Sequence, residues 1–250
     1  MSAPRFFACG PFGGEYLPLS AEDVHHASTV LRLRTGEEIT VVGDDGLARM
    51  VTVDTLGRSG ISGTVSRIVE RPWLPRVTLV TAIGKSDKTD LVVEKAVEIG
   101  VEAVVLLETE RSVVRLDQAR MSRRVERLRR IAASAARQSQ RFEIPAVRNV
   151  ADVAAFAAEA PAYDRVLVAW EEDAGHGIDS ALASCAPDDR VAVVVGPEGG
   201  LTEAEVAGLA SADAAPVTLG PTILRTETAA IVAVALVSGV LGGMGLEHRG

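Results

Sequence analysis

The sequence predicts an α/β protein with a mostly parallel sheet, preceded by a small β-barrel. Residues up to about 71 are rich in β-type segments and turn signals, and "RPWLP" at 71–75, with two prolines in four residues, is typical of a linker. After it, short apolar strands alternate with helices, the pattern of a parallel sheet buried on both faces. We therefore expect two domains, residues 1–72 and 73–250.

The first domain is predicted to contain a hairpin, a further strand and one short helix. The segment "EEITVVGDDGLARMVTVDTL" has the pattern of a hairpin that turns at Asp44-Asp45-Gly46, and "GISGTVSRIVE" that of another strand. The helix should run from about Ser20 to Leu31, with Ser20 as N-cap and Asp23 at the capping-box position.

The second domain begins with the predicted strand "VTLVTAIG", followed by a helix from about Lys88 to Ile99 that Gly100 ends. Further strands are predicted at "AVVLLE", "DRVLVAW", "RVAVVVG" and "APVTLG".

A basic helix is predicted from Asp117 onward. One face is apolar, formed by Met121, Val125, Leu128, Ala132 and Ala135, with Ile131 at its edge. The opposite face carries Arg123, Arg127, Arg130, Arg137 and Arg141. A solvated surface would fit this stripe, but the near absence of acidic residues that could pair with it favours phosphate binding.

Charge is segregated along the chain. The net charge of −8 argues by itself against a nucleic-acid partner. Residues 111–148, however, contain eleven arginines and only three acidic residues. This distribution is typical of an acidic protein with one surface that faces a polyanion.

Composition argues against several classes of protein. Cys9 and Cys185 lie far apart and form no C-x-x-C, and His25-His26 has too few partners, so we expect no disulfide framework and no metal site. The N-terminus lacks the apolar region of a signal peptide. The apolar run "TAAIVAVALVSGVLGGMGL" is rich in Ala and Gly, and we interpret it as a buried helix. A cytoplasmic protein with no membrane partner is expected.

Two glycine turns share one design. "VVVGPEGGLTEAEV" runs a strand into Gly196-Pro197 and a helix with a capping box from Thr202 to Glu205. Twenty-four residues later, "VTLGPTILRTETAAIVAVAL" repeats the strand and the Gly-Pro pair. The first turn has neither the lysine of a phosphate loop nor the dinucleotide spacing. Two such strand ends could form adjacent walls of one pocket, although two ordinary turns would fit equally well.

These motifs resemble a known family. "VVGPEGGLTEAEV" and "LGPTILRTETA", with "GKSDKTDLVVEKAVEIGV", "ERSVVRL" and "AARQSQR", are similar to the 16S ribosomal RNA uridine N3-methyltransferases of the SPOUT superfamily. The segment "HHASTVLRLRTGEEITVVGDDG" is similar to their small PUA-like, RNA-binding β-barrel domain. The resemblance covers nearly the whole chain. It implies a deep trefoil knot in the second domain, which periodicity could not predict.

The resemblance implies that the two turns hold S-adenosyl-L-methionine. Flat apolar walls and backbone groups suit adenine, and glycines allow the main chain to approach closely. The third wall should be the end of the strand "RVLVAW". The implied cofactor-binding residues are Val168, Ala169, Trp170, Gly196, Gly199, Gly200, Leu219, Gly220, Ile223 and Leu224.

Methyl transfer to uracil N3 asks for in-line positioning, a base for the N3 proton and stabilisation of charge on the carbonyl oxygens. Glu198 and Glu227 are the two candidate bases, and Arg225 could stabilise that charge or anchor a phosphate. Each also has a structural interpretation: Glu198 as a turn or helix cap, Glu227 as an acid in a helix first turn, and Arg225 as an ion-pair partner.

Contacts to 16S rRNA, or to the assembled small subunit, are expected from both domains. The candidates are Arg5, Arg32, Arg34, Lys85, Arg111, Arg137, Gln138, Ser139 and Arg141. Lys85 could instead contact a neighbouring subunit, since SPOUT enzymes are generally homodimers.

Two other functions stay open. One is ribose 2'-O-methylation, whose SPOUT enzymes usually carry "SLN" where this chain has "LRTET". The other is a non-catalytic ribosome-assembly factor, which the cofactor glycines and Arg225 disfavour. The target nucleotide, the base and the need for an assembled subunit do not follow from the sequence.

Overall fold

The computed structural model describes residues 3–57, 59–84, 86–170 and 176–244. The chain divides into two compact units. The first comprises Met1–Pro72 together with Ala136–Ile144, and the second comprises Trp73–Ala135 together with Pro145–Gly250.

The first unit contains, among its described residues, one sheet of four strands in sequence order. β1 is parallel to β2, and the pairs β2–β3 and β3–β4 are antiparallel. Alternate side chains of the strands form the core of the unit, with Phe6, Ile39, Val41 and Val51 buried. The strands are β1 (Arg5–Phe7), β2 (Glu38–Val42), β3 (Ala48–Gly57) and β4 (Gly60–Val69).

The predicted hairpin and its following strand are confirmed. Gly46 has a φ of +74°, which favours glycine, and the Asp45 carboxylate accepts a hydrogen bond from the Leu47 N–H at 3.0 Å. Arg49 donates to the same carboxylate, and this hydrogen bond lowers the pKa of Asp45 to about 2. The turn is therefore closed by side-chain contacts as well as by glycine.

The predicted helix after Ser20 is shorter than expected. Helix α1 covers Ala21–His25, and a π-helical turn continues it through His26–Val30. Ser20 is the N-cap, as predicted, and accepts from the Asp23 N–H at 3.1 Å. The Asp23 carboxylate accepts from the Ser20 hydroxyl at 2.8 Å and pairs with Arg137 at 3.0 Å.

The second unit contains, within the described ranges, one sheet of six strands that are all parallel, in the order β10-β8-β9-β5-β6-β7. The predicted mostly parallel α/β sheet is thus confirmed. The short edge strand β7 was not predicted, because Arg148 and Asn149 interrupt the apolar residues of "AVRNV" and leave neither an apolar run nor an alternating pattern. The strands are β5 (Arg76–Ala82), β6 (Ala103–Leu107), β7 (Ala146–Val150), β8 (Arg165–Ala169), β9 (Arg190–Val195) and β10 (Ala214–Val217).

Helices cover the sheet. α7 packs on β5, on β9 and on α2, while α4 and α6 pack against each other, with α4 also contacting β7 and α6 contacting β10. The helices are α2 (Ser86–Ile99), α3 (Gln118–Gln138), α4 (Val153–Glu159), α5 (Ile178–Ala181), α6 (Glu203–Ala210) and α7 (Thr226–Val240). Between sheet and helices the core is aliphatic, with Val80, Val105, Val194, Phe156 and Leu209 buried.

Two of the predicted helices bury the apolar residues expected of them. The apolar face of α3 is buried, from Met121 to Ala135, and Ile131 is half-buried at its edge. The C-terminal apolar run forms α7, which buries Ala230, Ala233, Val234 and Val237. Among the described helices, none is long and apolar enough to cross a membrane.

Candidate active site

A cleft opens at the carboxyl ends of β9, β8 and β10, which are neighbours in the sheet. Carboxyl ends of parallel strands are the usual ligand sites of open α/β sheets. The cleft combines apolar side chains with backbone groups of the two glycine turns. Its walls are Ala169 and Trp170 after β8, Val195–Pro197, Gly200 and Leu201 after β9, Thr218–Leu224 after β10, Thr226 and Ala229 of α7, and Arg111.

The first glycine turn is held in shape by three kinds of contact. The Gly200 N–H donates to the Pro197 carbonyl at 2.9 Å, and Gly200 has a φ of +70°, which favours glycine. A Cβ at Gly196 would lie 3.0 Å from Leu201 Cγ, so a side chain there would crowd the turn. Arg111 donates to the Gly199 carbonyl at 3.0 Å. The turn is therefore a preformed wall.

The helix after this turn is capped as predicted. Thr202 Oγ1 accepts from the Glu205 N–H at 3.2 Å, and Glu205 Oε2 accepts from the Thr202 N–H at 2.8 Å. Glu205 also accepts from the Glu110 N–H at 2.8 Å. This carboxylate thus ties α6 to the loop that carries Arg111.

The second glycine turn faces the cleft with its backbone. The Gly220 N–H donates to Thr218 Oγ1 at 3.2 Å, and Gly220 has a φ of +127°. No atom lies within 4 Å of a Cβ at Gly220, so a side chain would meet open space. The Trp170 N–H donates to the Val217 carbonyl at 3.0 Å, which joins the ends of β8 and β10.

Most of the residues expected to bind the cofactor line this cleft, but Val168 and Gly199 do not. Val168 is fully buried within the sheet. A Cβ at Gly199 would lie 3.2 Å from Arg111 Cβ, so Gly199 accommodates Arg111. The residues that do line the cleft are Ala169, Trp170, Gly196, Gly200, Leu219, Gly220, Ile223 and Leu224.

A carboxylate–ammonium–carboxylate cluster lies beside the first turn. The Lys88 Nζ donates to Glu198 Oε1 at 3.2 Å and forms an ion pair with Glu227 Oε2 at 3.2 Å. The side chains are only partly exposed, Glu227 least at 16%. Both Glu198 and Glu227 were predicted as site residues and lie here together, whereas Lys88 was not predicted.

The contacts of the cluster favour the charged forms of Lys88 and Glu227. Hydrogen bonding to Glu198, and then to Glu227, raises the pKa of Lys88. A hydrogen bond from its own backbone N–H, and then the interaction with Lys88, lower the pKa of Glu227. The Lys88 ammonium thus lies between the Glu198 and Glu227 side chains, and it can polarise a group that enters the cluster.

Known proteins resemble this chain over nearly its whole length. Residues 71–238 match the family described as RNA methyltransferase domain. The chain is 34% identical to the ribosomal RNA small subunit methyltransferase E of Bacillus subtilis, over 88% of each chain. It is 39% identical to the protein of that name from Mycobacterium bovis, over 92% of this chain and 88% of the other.

The chain belongs to the ribosomal RNA small subunit methyltransferase E family. This membership confirms the resemblance seen in the sequence, and with it the prediction of an S-adenosylmethionine-dependent rRNA methyltransferase.

Two solved methyltransferase structures share the fold of this chain. The methyltransferase E of Neisseria gonorrhoeae bound to S-adenosyl methionine has a TM-score of 0.80 at 27% identity, covering 96% of this chain and 98% of that one. A putative methyltransferase of Legionella pneumophila, in complex with the bound cofactor SAM, has a TM-score of 0.84 at 28% identity, with the same coverage.

In this member of the methyltransferase E family, Arg225 directly precedes α7. Its side chain is exposed, and it makes no hydrogen bond or ion pair with any residue that the structure describes. The pKa of Glu227 is lowered by its backbone hydrogen bond and by Lys88, and the positive charge of Arg225 lowers it further. The structural alternative of an ion pair with a glutamate is therefore not found, and the guanidinium is available to a ligand.

Two of the arginines expected to contact RNA are buried in the first unit, which corrects their expected surface positions. Arg5 is 7% exposed, donates to the carbonyls of Gln140 and Arg141 and stacks on the Phe142 ring at 4.5 Å. Arg141 is 5% exposed. It leaves the basic helix face because α3 ends at Gln138 and Gln140 has a φ of +59°.

The other expected RNA contacts differ in their surroundings. Arg137 pairs with Asp23, and Arg111 supports the first turn with its guanidinium. Gln138, Arg32 and Arg34 are exposed and Ser139 is half-buried. Lys85 lies outside the described residues. Over the ranges described, no group of three or more His, Cys, Asp or Glu side chains could hold a metal ion.

Proposed function

We propose that this protein transfers a methyl group to N3 of a uridine in the 16S rRNA of the small ribosomal subunit. One observation supports the proposal beyond family membership. The turn after β9 lines the cleft at the strand ends, and the same turn carries Glu198 of the Glu198–Lys88–Glu227 cluster. A cleft for the methyl donor and an acid–base cluster at one turn are the two parts that such a transfer needs.

The cleft suits S-adenosyl-L-methionine. Trp170, Ala169 and Leu224 supply apolar walls, and the turns after β9 and β10 supply backbone groups. Gly220 leaves open the space that a side chain would fill. When bound, the cofactor supplies an electrophilic methyl group on a sulfonium sulfur. The sulfur–methyl bond breaks as the N3–C bond forms, and the sulfur leaves as a thioether.

We assign the role of base to Glu198. Its side chain is 34% exposed and stands on the turn that lines the cleft, so it can meet a uracil that enters from solvent. Glu227 has a lowered pKa and is less exposed, which makes it a weak base and a good anchor for Lys88. In this assignment Glu198 accepts the N3 proton, while Glu227 keeps the ammonium in place.

Lys88 and Arg225 stabilise the charge that develops on the uracil. Loss of the N3 proton places negative charge on the neighbouring carbonyl oxygens, O2 and O4. Lys88 is within hydrogen-bond distance of the base, and Arg225 is exposed two residues before Glu227. Both cations can therefore donate to these oxygens without first breaking a buried contact.

Contacts to the RNA are proposed for exposed polar residues of the first unit. Arg32 and Arg34 stand between α1 and β2, and Gln138 stands at the end of α3. We include Arg137 and Ser139 as weaker contributors, since Arg137 shares its charge with Asp23. The mixed sheet of this unit, with a parallel first pair, supports a PUA-like barrel.

A homodimer is supported by exposed apolar side chains at the end of α7 and just after it. Leu236 and Val240, one helical turn apart on α7, are 42% and 39% exposed, and Met244, in the turn that follows the helix, is 46% exposed. Ile223, at the cleft, is 84% exposed. Large exposed apolar side chains are typical of an interface, and the second copy is the proposed partner.

The path of the chain after β10 supports a trefoil knot. From edge strand β10 the chain returns as α7 to the middle of the sheet, where α7 packs on β5 and β9. A trefoil knot requires such a return.

A cytoplasmic location is supported by Cys9 and Cys185, which are both free thiols.

The two tryptophans of the chain provide a test of the cofactor site. Trp170 lines the cleft, whereas Trp73 is outside it and donates to Asp188 at 2.9 Å. In Trp73→Phe only Trp170 fluoresces, and S-adenosylmethionine should change its emission in a saturable titration. In Trp170→Phe the remaining signal should not respond. An unresponsive Trp170 would remove the proposed cofactor cleft.

A further inference from the structure

A second pocket of the second unit is lined by arginines. Arg120, Arg123, Arg124 and Arg127 of α3 form one wall, and Ile83 and Gly84 after β5 form part of another. We call it the arginine pocket. Its volume is about 360 Å³, roughly ten times the space of one water molecule. It is separate from the cofactor cleft, which shares none of these residues.

Acidic side chains engage all but one of the arginines that line this pocket. Asp90 pairs with Arg127 at 2.5 Å and lies 3.7 Å from Arg124. Asp117 pairs with Arg120 at 3.5 Å. These contacts engage three of the four guanidinium groups. They also fix the pocket wall, because Asp90 is itself only 17% exposed and holds two arginines at once.

Arg123 is the remaining cation. Its side chain is exposed at the pocket, and it forms no hydrogen bond or ion pair with the residues described here. Neighbouring Arg124 is 9% exposed, and burial lowers its pKa, so its charge is poorly solvated. A single anion held by Arg123 would compensate its charge, and a phosphodiester carries one such charge.

The pocket adjoins the proposed base. Gly84 lines it, and a Cβ at Gly84 would lie 3.9 Å from Glu198 Oε1. One glycine thus separates the arginine-lined space from the carboxylate that we assign to the N3 proton. An anion in the pocket would be close to the uracil that reacts.

We propose that the arginine pocket binds a backbone phosphate of the RNA, next to the nucleotide that is methylated. This inference rests on the proposed function, and it adds the point at which the strand is held. The phosphate fixes the position of the nucleotide along the strand, while the cofactor cleft and Glu198 act on its base. Positioning through phosphate and selection through the base are distinct contributions.

The test measures binding of the protein to small ribosomal subunits that lack the modification, by co-sedimentation at several salt concentrations. Arg123→Gln should weaken binding about tenfold at low salt, since one charge-assisted contact is lost. The slope of log affinity against log salt should fall by about 0.7–0.9, the value for one phosphate. Arg123→Lys, which keeps the charge, should retain most of the affinity and the slope.

Arg130→Gln is the matched control, because Arg130 is an exposed arginine of the same basic face of α3 but does not line the pocket, so the comparison separates the pocket from the face as a whole. It should change affinity less than twofold. Equal losses in Arg123→Gln and Arg130→Gln would overturn the proposal. So would an Arg123→Gln variant with wild-type affinity and salt slope.

Methyl transfer by the wild-type protein, measured in the same preparations, separates this inference from the function on which it rests. Absence of transfer would contradict the proposed reaction, while the binding comparison would still decide the role of Arg123. Titration of S-adenosylmethionine should give wild-type affinity for Arg123→Gln, because Arg123 does not line the cofactor cleft.

Discussion

Gly196→Ala should perturb the cofactor cleft and the stability of the second unit together. A methyl group at this position would lie 3.0 Å from Leu201 Cγ and 3.1 Å from the Leu201 backbone nitrogen. Leu201 is 4% exposed and belongs to the core, so it cannot move away without disturbing its neighbours. The backbone of the turn must therefore shift.

The size of the effect follows from this crowding. Inserting a methyl group into a packed site costs about 1–3 kcal/mol, which for 150–250 residues lowers the melting temperature by about 2–12 °C. Because the displaced turn forms one wall of the cleft, we also expect the Kd for S-adenosylmethionine to rise about tenfold, or about 1.4 kcal/mol. Differential scanning fluorimetry and isothermal titration calorimetry measure the two effects.

Gly208→Ala provides the control. Gly208 lies in α6, where a Cβ would have no neighbour within 4 Å, so alanine should raise stability by about 0.5–1 kcal/mol and leave cofactor binding unchanged. A Gly196→Ala protein that melts at the wild-type temperature and binds the cofactor equally well would refute the account of the turn.

Three other changes test the charged residues. Lys88→Met should lower the single-turnover rate of methyl transfer at neutral pH by about 10²-fold or more, with the Kd for S-adenosylmethionine unchanged, whereas a structural role would change both. Because the pKa of Glu227 is lowered, its stabilising contribution is complete above the ordinary glutamate pKa and is lost as pH falls through the lowered value. In denaturant melts Glu227→Gln should therefore be less stable than wild type at pH 7, and a gap unchanged at pH 3 would contradict this. Arg5→Ala should lower the free energy of unfolding by about 2–4 kcal/mol through its buried hydrogen bonds, while exposed Arg34→Ala should stay within about 0.5 kcal/mol; equal effects would contradict the burial of Arg5.

The fold was predictable where local pattern dominates. The hairpin at Gly46, the apolar face of α3 and the strands of the parallel sheet follow from turn chemistry and periodicity. The order of the strands in the sheet could not be predicted from local pattern, because it depends on which chain segments meet in space. β10 pairs with β8, and β8 with β9, and this order brings the two glycine turns and Trp170 to one cleft.

The site was predictable in its motifs and less so in its contacts. Lys88 was missed because its partner Glu198 is 110 residues away, and in the sequence it is one lysine in a helix first turn. Arg5 was expected at the surface, since nothing local indicates that carbonyl groups some 135 residues further along will accept its hydrogen bonds. Gly199 was assigned to the cofactor by motif, yet its backbone accommodates Arg111.

The most direct test of the central claim is nucleoside mass spectrometry. Small subunits that lack the modification would be incubated with the protein and S-adenosylmethionine, and their 16S rRNA digested and analysed. The account predicts N3-methyluridine, formed by wild type and strongly reduced in Glu198→Gln. A ribose-methylated nucleoside, or no methylated product despite tight binding to the subunits, would contradict it in favour of the 2'-O-methyltransferase or the assembly factor, respectively.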